Sequence, residues 1–437
     1  MPGATPHRRA FGPAPAQALS PVPTNVVATA VRGALLVTWT PAAPSQGYLF
    51  YRIDIDPPPT PTGNGNAQVN QYSASEWVSA GANAALLIGQ SGVSAAGWLN
   101  TLFGVAVRAR VTGWRPDTGY GAPSAWSNSA TGTKTTNGVI LGAQTPYGTG
   151  VGCVSAPTTV QNNAVLSTPG TYSGIDFQLT TGGAGWTGLV LDPGKGNTIR
   201  LANVRFQCSN PDAINGVSSG TLVAVKSGTA ILQNYELDGA GPGGAAFGIS
   251  DNPSGAANLD GVQLLNGLHH GCEDDIHFGF TGTNGVNGTD GVAFDLCPHA
   301  FNGSAAHNDG LQMTGGSIQL TRWDLRNSQT ENSCAYCNPS TGDVAAFSLF
   351  DCWGDGGGGG QIVCTTSGGH VGPVVVIHKF KVRRQPFGFW KWGGFIGTSP
   401  AVPAAINNGA GLTLDLGSPD QNQYWEPNGE LLVPAGL

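Results

Sequence analysis

Short runs of alternating apolar and polar residues recur along almost the whole chain. In the N-terminal part they cover residues 24–30, 34–41, 47–53, 103–111 and 124–130. Alternation with a period of two is typical of half-buried β-strands, and turn-forming residues separate the runs. Strands at this spacing predict an N-terminal β-sandwich of about 100 residues.

A second pattern, apolar-x-apolar-x-polar-x-x-apolar, recurs further along the chain. It covers residues 199–206, 230–237 and 318–325 and, more loosely, 347–351 and 375–379. One apolar marker per recurrence gives separations of 31, 27, 33, 28, 29 and 28 residues, with the markers at Leu201, Leu232, Leu259, Val292, Leu320, Leu349 and Ile377. A period of about 30 residues built from strands, with Gly or Asn at most corners, predicts a parallel β-helix whose coils stack to bury their apolar faces.

The composition favours the same all-β fold class. Of the 437 residues, 68 are Gly, and only 10% are charged, whereas an average protein has about 7% Gly and about 25% charged residues. Long helices need runs of Ala, Leu, Glu, Lys and Arg, and such runs are missing here. The predicted order is an extended Pro/Ala-rich arm over residues 1–19, a sandwich over 20–133, a parallel β-helix over 134–400 and a C-terminal cap over 401–437.

Charge and hydropathy exclude several classes of partner. The net charge is −7 and the basic residues are scattered apart from Lys379, Lys381, Arg383 and Arg384, so no footprint for nucleic acid is present. No window is apolar enough for a membrane span, and the N-terminus lacks the apolar region of a secretory signal. We therefore expect an uncharged ligand such as a glycan, and neither a metal nor another cofactor.

The eight cysteines all lie between Cys153 and Cys364, which allows either local disulfides or buried thiols. Cys334 and Cys337 form a lone C-x-x-C, which is weak evidence for zinc, and we interpret it as a structural pair.

Ionisable residues concentrate in residues 259–331, which contain five of the eight histidines. The candidate catalytic residues are Asp274, Asp275, His277, His307 and Asp309. Paired carboxylates about 5 to 10 Å apart can hydrolyse a glycosidic bond, and stacked strands about 4.8 Å apart could bring Asp274 and Asp309 together. The alternative is structural, because Asp and Asn cap backbone N–H groups at corners and Asp-Gly is a turn pair. The adjacent His269 and His270 are expected to lie in a loop.

Four further residues are candidates for glycan binding: Gln312, Arg322, Arg326 and Trp353. Arg322 and Arg326 are the basic residues nearest to the acidic cluster, one predicted coil later, and Arg326 could contact a uronate.

Two resemblances to known families follow from these motifs. Trp39-Thr40-Pro41, Gly47-Tyr48 and the strand over residues 105–109 occur in the order of a fibronectin type III domain, which implies a spacer or adhesive module over residues 20–133. The sequence His307-Asn308-Asp309-Gly310-Leu311-Gln312 and the run over residues 351–357 resemble the right-handed β-helix of the pectate-lyase-like superfamily. Within that superfamily they resemble minor tail proteins and tail fibres of bacteriophages that infect actinobacteria.

The resemblance implies a virion minor tail protein that contacts the host cell envelope through glycan binding. Its expected partners are other phage tail proteins, through the arm and the fibronectin-like domain, and the host envelope glycan. A homotrimer is one option for its assembly, since tail fibres are often trimers. The expected location is the virion tail, without a signal peptide. The alternative is a polysaccharide hydrolase or lyase, either secreted or carried on a virion as a depolymerase.

Overall fold

The regular elements of the computed structural model are β-strands, so the predicted all-β class is confirmed for the part of the chain that the structure describes. Residues 1–19, the predicted arm, lie outside that part. Within it, no helix is long and apolar enough to cross a lipid bilayer. The structure describes residues 22–31, 34–41, 50–56, 75–79, 84–88, 106–115, 119–131, 141, 143–144, 150–162, 164–179, 187–208, 220–239, 247–251, 258–270, 272, 274–279, 285–295, 310–327, 335–338, 343–356, 362–364, 374–383, 390–392, 395–397, 413–415, 423–425 and 431–432.

Two antiparallel sheets form the N-terminal part. Their strands are β1 (Thr24–Val31), β2 (Ala34–Thr40), β3 (Phe50–Asp56), β4 (Ser75–Ser79), β5 (Ala84–Ile88), β6 (Arg108–Arg115) and β7 (Gly119–Tyr120). The sheet orders are β1-β2-β5 and β4-β3-β6-β7. Buried Trp39 on β2 meets buried Tyr51 on β3 edge to face, with ring centroids 5.4 Å apart. This contact joins the two sheets, and a short antiparallel pair follows them, β8 (Ala143–Gln144) with β9 (Gly150–Val151).

From residue 159 onward, the described residues form a parallel β-solenoid, as the repeat predicts. Its strands are β10 (Thr159–Gln161), β11 (Ala164–Leu166), β12 (Gly170–Ser173), β13 (Ile175–Leu179), β14 (Thr187–Leu191), β15 (Thr198–Cys208), β16 (Thr221–Val225), β17 (Gly228–Asp238), β18 (Phe247–Asp251), β19 (Leu259–His270), β20 (Asp274–Gly279), β21 (Gly285–Asp295), β22 (Leu311–Asn327), β23 (Ala335–Cys337), β24 (Val344–Phe350), β25 (Trp353–Gly356), β26 (Ile362–Cys364), β27 (Val374–His378), β28 (Lys381–Arg383), β29 (Trp390–Trp392), β30 (Phe395–Gly397), β31 (Thr413–Asp415), β32 (Gln423–Trp425) and β33 (Leu431–Leu432).

Apart from β30 and β33, which pair antiparallel with β29 and β32, these strands stack in two parallel ladders. We call one the front sheet; it contains β11, β14, β16, β18, β20, the start of β22, β23, β26 and β29. We call the other the bent sheet; it contains β10, β12, β13, β15, β17, β19, β21, the rest of β22, β24, β25, β27, β28, β31 and β32. Each coil thus alternates between the two sheets and buries its apolar residues between them.

A row of residues with left-handed backbone conformation bends the bent sheet. It consists of Asn203, Asn234, Asn266, Arg322, Asp351 and Lys379, with φ between 52° and 57°. Asn adopts this conformation at less cost than most residues because its short polar side chain can bond locally. Asn266 Nδ2 donates a hydrogen bond to Asn234 Oδ1 at 2.9 Å, which ties consecutive coils together at the corner. The expectation of Gly or Asn at most corners is thus met by Asn203, Asn234 and Asn266, whereas Arg322, Asp351 and Lys379 stand at the later corners of this row.

The apolar markers stack in one column, with two exceptions. Leu201, Leu232, Leu320, Leu349 and Ile377 are in register, as predicted. The choices of Leu259 and Val292 were wrong, because the column continues through Leu264 and Gly288.

The buried indole of Trp323, one coil later, explains why glycine stands at position 288. A Cβ on Gly288 would lie 2.5 Å from the flexible end of Leu320, at Cδ2, and 2.8 Å from Nε1 of the rigid Trp323 ring, and a Cβ on Gly291 would lie 2.5 Å from that ring. A large side chain in one coil therefore requires small residues in the coil before it. For this reason the column of apolar markers has glycine, and no apolar side chain, at position 288.

The parallel ladder continues past residue 400, into the segment predicted to be a cap. There β31 pairs with β27 and β32 pairs with β28, whereas β33 pairs antiparallel to β32.

Five described cysteines are buried in the core as thiols: Cys153, Cys208, Cys272, Cys337 and Cys352. The sequence allowed either local disulfides or buried thiols, and these five cysteines are buried thiols.

Candidate functional site

Polar and aromatic side chains line the outer face of the front sheet near its middle. Ser250, His277, Gln312 and Tyr336 are partners in register on β18, β20, β22 and β23. His277, Gln312 and Tyr336 are partly exposed, whereas Ser250 is only 6% exposed. Their neighbours Ile249, Ile276, Leu311 and Ala335 are fully buried inside the coil. Because neighbouring strands lie about 4.8 Å apart, the four side chains form a row roughly 14 Å long. We call this row, with Phe247 and Asp274 beside it, the front-face site.

The best-defined contacts of the front-face site surround His277. Its Nδ1 lies 3.1 Å from Asp274 Oδ2, and its ring centroid lies 4.3 Å from that of Phe247. The side chain of His277 is 21% exposed and that of Asp274 only 3%, so the imidazole is the part that solvent reaches. A carboxylate that positions an exposed imidazole can hold a proton and can also accept or donate hydrogen bonds to a ligand.

Asp251 is a second carboxyl group close to His277. Burial raises its pKa, although the hydrogen bond from Gly279 N–H at 2.9 Å and the proximity of His277 act in the opposite direction. Asp274 is thus the carboxyl group in contact with the imidazole, and Asp251 affects it only through its charge.

An interruption in the front ladder separates Asp274 from Asp275. The ladder pairs Phe247 with Asp274 and then Ile249 with Ile276, and it skips Gly248 and Asp275. Two consecutive residues, Asp275 and Ile276, are fully buried here, so the alternation of inward and outward side chains shifts by one residue. Asp274 therefore shares the outer face with His277, although the two are three residues apart. Asp275 is fully buried, and the structure thus separates it from the front-face site.

Asp275 belongs to a polar layer inside the coil. Burial raises the pKa of Asp275, and neither of its carboxyl oxygens has a hydrogen-bond partner among the described residues. Close by, His269 Nε2 lies 2.7 Å from the hydroxyl of Tyr235, and its ring meets Trp323 edge to face at 5.3 Å. Burial lowers the pKa of His269 to about 3, so this imidazole is neutral in the folded protein. The residues of this layer are fully buried, so they form part of the core and do not reach a ligand.

A second polar group is buried on the bent sheet. Arg205 binds Asp176 through two hydrogen bonds of 2.9 and 2.8 Å, and Gln207 Nε2 donates to both oxygens of Asp176 at 2.9 Å. One coil further on, His270 Nε2 lies 2.9 Å from Glu236 Oε1. These side chains are at most 6% exposed, so they stabilise the coil without offering a surface to a ligand.

The histidine pair at 269 and 270 corrects an expectation. Both residues were expected in a loop, yet they are the last two residues of β19 and are buried. Inside the fold, Tyr235 on β17 contacts Nε2 of His269 and Glu236 contacts Nε2 of His270.

The structure brings together only some of the residues chosen from the sequence. Asp274, His277 and Gln312 share the front-face site. His307 and Asp309 lie outside the described residues, although the pairing of Ile276 with Leu311 has the same 35-residue offset as Asp274 and Asp309. Arg322 stands at the corner row of the bent sheet, and Arg326 and Trp353 lie on bent-sheet strands, so these three are not on the front face.

Sequence reasoning missed Phe247, Ser250 and Tyr336. Their signal is weak, because each sits in a strand of five residues or fewer. Only the coil register places them beside His277 and Gln312.

Among known proteins, similarity to this chain is found only in solved structures. No protein-family model and no curated protein matches the chain. The chain is similar to pectate lyases. Pel3 from Pectobacterium carotovorum has 11% identity and a TM-score of 0.30, with 91% of this chain and 98% of that chain covered. PelI from Erwinia chrysanthemi, in complex with tetragalacturonic acid, has 10% identity and a TM-score of 0.28, with coverages of 90% and 97%.

The family 28 exopolygalacturonase of Yersinia enterocolitica gives a similar result, with 12% identity, a TM-score of 0.25 and coverages of 93% and 85%. TM-scores this low do not establish the fold or the function of the chain. The fold and the site of the present chain rest on its own strand pairing and contacts.

The described residues of the site offer hydrogen bonding, ring stacking and proton exchange. In the part of the chain that the structure describes, no group of three or more His, Cys, Asp and Glu side chains is arranged to hold a metal ion. Aromatic rings at both ends of the row, with an amide and an imidazole between them, can contact both the apolar and the hydroxylated faces of a sugar.

Proposed function

We propose that this chain binds a glycan across the front-face site. The observation that carries the proposal is the row of partly exposed side chains His277, Gln312 and Tyr336 on successive strands, flanked by Phe247. An extended oligosaccharide that crosses the strands would meet one polar or aromatic side chain at each strand. The fixed spacing of the parallel ladder presents these groups without any rearrangement, which lowers the entropic cost of binding.

Substitution of the aromatic residues tests this proposal. We expect Phe247→Ala and Tyr336→Ala each to weaken binding of the purified protein to host-envelope polysaccharide by about tenfold, which corresponds to about 1.4 kcal/mol. Isothermal titration calorimetry measures the affinity. Phe350→Ala is the matched control, because Phe350 is a half-buried aromatic residue on the bent sheet. Equal affinity of the front-face variants and the control variant would refute the site.

A second candidate function is cleavage of the same glycan, and the Asp274–His277 contact of 3.1 Å favours it. In this case the carboxylate and the imidazole would act as acid and base on a bound sugar. The binding mixtures therefore also serve for an assay of new reducing ends and of unsaturated product. Product that is lost in Asp274→Asn supports a hydrolase or lyase, whereas binding without product supports an adhesive protein.

For the biological setting, we propose a minor tail protein of a bacteriophage that contacts the host cell envelope. The strand orders β1-β2-β5 and β4-β3-β6-β7 support a fibronectin type III domain at the N-terminal end, as in an adhesive module. Other tail proteins are the proposed partners of this domain and of the preceding arm.

Gold-labelled antibody raised against the chain, viewed on purified virions, tests the tail location. We expect the label at the tail tip or the fibres. Label on the capsid, or on none of the particles, would contradict the tail assignment and leave the glycan-binding test unaffected.

A further inference from the structure

We propose that two copies of this chain join end to end at the N-terminal end of the solenoid. This end is formed by β10, β11 and β12, the strands of the first coil. It lies on other strands than the front-face site, so the dimer does not depend on glycan binding. The two ends of the solenoid differ in how their strand edges are paired and in what they expose.

The strands of the first coil each have one paired edge. β10 pairs with β13, β11 with β14 and β12 with β15, and within the described part of the chain no strand pairs with their opposite edges. At the C-terminal end, by contrast, β30 covers the edge of β29, and β33 covers the edge of β32. Antiparallel strands thus close two edges of the last coil, whereas three edges of the first coil stay open.

The interior of the solenoid is also open at this end. Ala164 and Leu166 on β11 and Tyr172 on β12 pack against the core and are only partly buried. Their partners in the next coil are fully buried: Leu189, Leu191 and Leu201. The first coil therefore leaves apolar surface in contact with solvent, and a partner that continues the stack would bury it.

The segment before the first coil runs along the side of the solenoid. Gly152 N–H donates a hydrogen bond to the backbone oxygen of Asn266 at 2.9 Å, and Val154 N–H donates one to Asn203 Oδ1 at 2.9 Å. Asn266 and Asn203 stand in the corner row two coils apart, so the segment follows this row towards β10. It does not cover the end, and Val165 on β11 is 64% exposed.

Charged residues are missing from the sequence around this edge. Natural edge strands are usually kept from pairing by charged side chains, by proline or by bulges. Residues 135–175 contain no Asp, Glu, Lys, Arg or His, and Pro157 and Pro169 precede β10 and β12 instead of standing within them. Two identical ends can thus approach without like charges facing each other, which favours a second copy as the occupant.

A two-fold axis lets a second copy match all three open edges. An axis through the middle of β11 and the corner at Gly174 places β11 antiparallel to its own copy and β12 beside β10 of the other chain. The backbone groups of each edge then find partners, and the inward side chains of both first coils stack. A single extended peptide could pair with one of the three edges and would leave the interior open.

The size of the edge predicts a weak dimer. The edge spans residues 159–173, which is fewer than the roughly 20–30 residues that each partner contributes to a standard interface. We therefore expect a Kd in the range of about 1–100 μM.

The dimer also brings two front-face sites onto one continuous sheet. β20, which carries His277, lies four strand spacings from β11. With one further spacing between the chains, the two His277 residues lie roughly 43 Å apart. Bivalent binding to one polysaccharide follows from this distance. That consequence rests on the proposed function, whereas the dimer does not.

Sedimentation velocity of the full chain, over concentrations that span the expected Kd, tests the dimer. The test variants are Val165→Lys and Val165→Glu, because Val165 is exposed and lies near the axis, where each charge faces its own copy. We expect each variant alone to dimerise about tenfold more weakly than the wild type. An equal mixture of the two should recover the dimer, because Lys then faces Glu.

Val27→Lys is the matched control. Val27 is also an exposed valine, 44% exposed on β1 of the sandwich, and its substitution should leave the dimer unchanged. Circular dichroism checks that each variant folds. If position 165 does not accept a charge, the double variant Val160→Lys with Thr171→Lys places like charges on the facing strands β10 and β12 and should weaken the dimer as well.

Several results would overturn the proposal. They are a wild-type chain that stays monomeric, a dimer that Val165→Lys weakens no more than Val27→Lys does, and a mixture of the two Val165 variants that fails to recover the dimer. A monomeric chain whose binding to isolated virion tails is lost in Val165→Lys would also overturn it, since another protein then occupies this end. Each of these results leaves glycan binding, which calorimetry measures separately, unaffected.

Discussion

Replacement of Arg205 by Met is expected to lower the free energy of unfolding by roughly 3–5 kcal/mol, the range measured when one partner of a buried ion pair is removed. Arg205 is 3% exposed and Asp176 is 6% exposed. Burial alone would raise the pKa of Asp176, but its hydrogen bonds with Arg205, Gln178 and Gln207 outweigh burial and lower it. Without the guanidinium, the carboxylate would stay buried with amide partners only.

Urea unfolding of the full chain, followed by circular dichroism, measures this loss. Arg200→Met is the matched control on the same strand. Arg200 is half-buried and makes one hydrogen bond with Gln233 at 2.9 Å, so its loss should cost less than about 1 kcal/mol. The double variant Arg205→Met with Asp176→Leu should recover most of the stability, because apolar residues can replace a buried pair at little cost. If Arg205→Met proved as stable as Arg200→Met, the ion pair would have no structural role.

The sequence predicts features that depend on residues within one coil, but not features that depend on contacts between coils. The spacing of Leu201 and Leu232 and the Asn residues at 203 and 234 follow from one coil at a time, and the repeat makes both predictable. Gly288 does not follow, because the residue that requires it, Trp323, lies one coil away and 35 positions later. A search for apolar markers therefore selects Val292 where the ladder has glycine.

The candidate site shows a similar limit. The acidic residues and His277 are evident from the sequence, but the side to which each carboxyl group turns is not. Simple alternation would put Asp275 and His277 on one face, whereas the interruption of the ladder at Gly248 and Asp275 gives that place to Asp274. The interruption depends on pairing with the preceding coil, so it cannot be predicted from the sequence of one strand.

Buried polar residues mislead for a further reason. His269 and His270 suggest a loop because isolated histidines are rarely buried without partners. Their partners Tyr235 and Glu236 lie 34 residues earlier, on the neighbouring coil. Only the register of the ladder shows that this pair can be satisfied within the fold.

The two adjacent histidines should give the stability of the protein opposite dependences on pH. For His269, burial lowers the pKa from 6.5 to about 3. The unfolded chain binds a proton below pH 6.5 that the folded chain does not, so the stabilisation is complete above pH 6.5 and is lost as the pH falls towards 3. The expected loss is about 1.4 kcal/mol for each pH unit, or roughly 3 kcal/mol between pH 6.5 and 4.5.

For His270 the sign is reversed. Burial alone would lower its pKa, but the carboxylates of Asp238 and Glu236 outweigh burial and raise it above 6.5. The protonated imidazole is thus favoured in the fold. Its contribution to stability is complete below pH 6.5 and is lost as the pH rises through the folded-state pKa.

Substitution of each histidine by Gln separates the two effects. We expect His269→Gln to flatten the loss of stability on acidification, because a neutral amide can still accept a hydrogen bond from Tyr235 and does not titrate. His270→Gln should instead flatten the decline above pH 6.5. Unfolding free energies of the wild type and both variants, measured in urea from pH 4.5 to 8.5, give the slopes. Slopes that change in the same direction in both variants would contradict the assignment. If His269→Gln fails to fold, NMR titration of the wild-type imidazole decides the question, since titration of His269 near pH 6.5 would sink it.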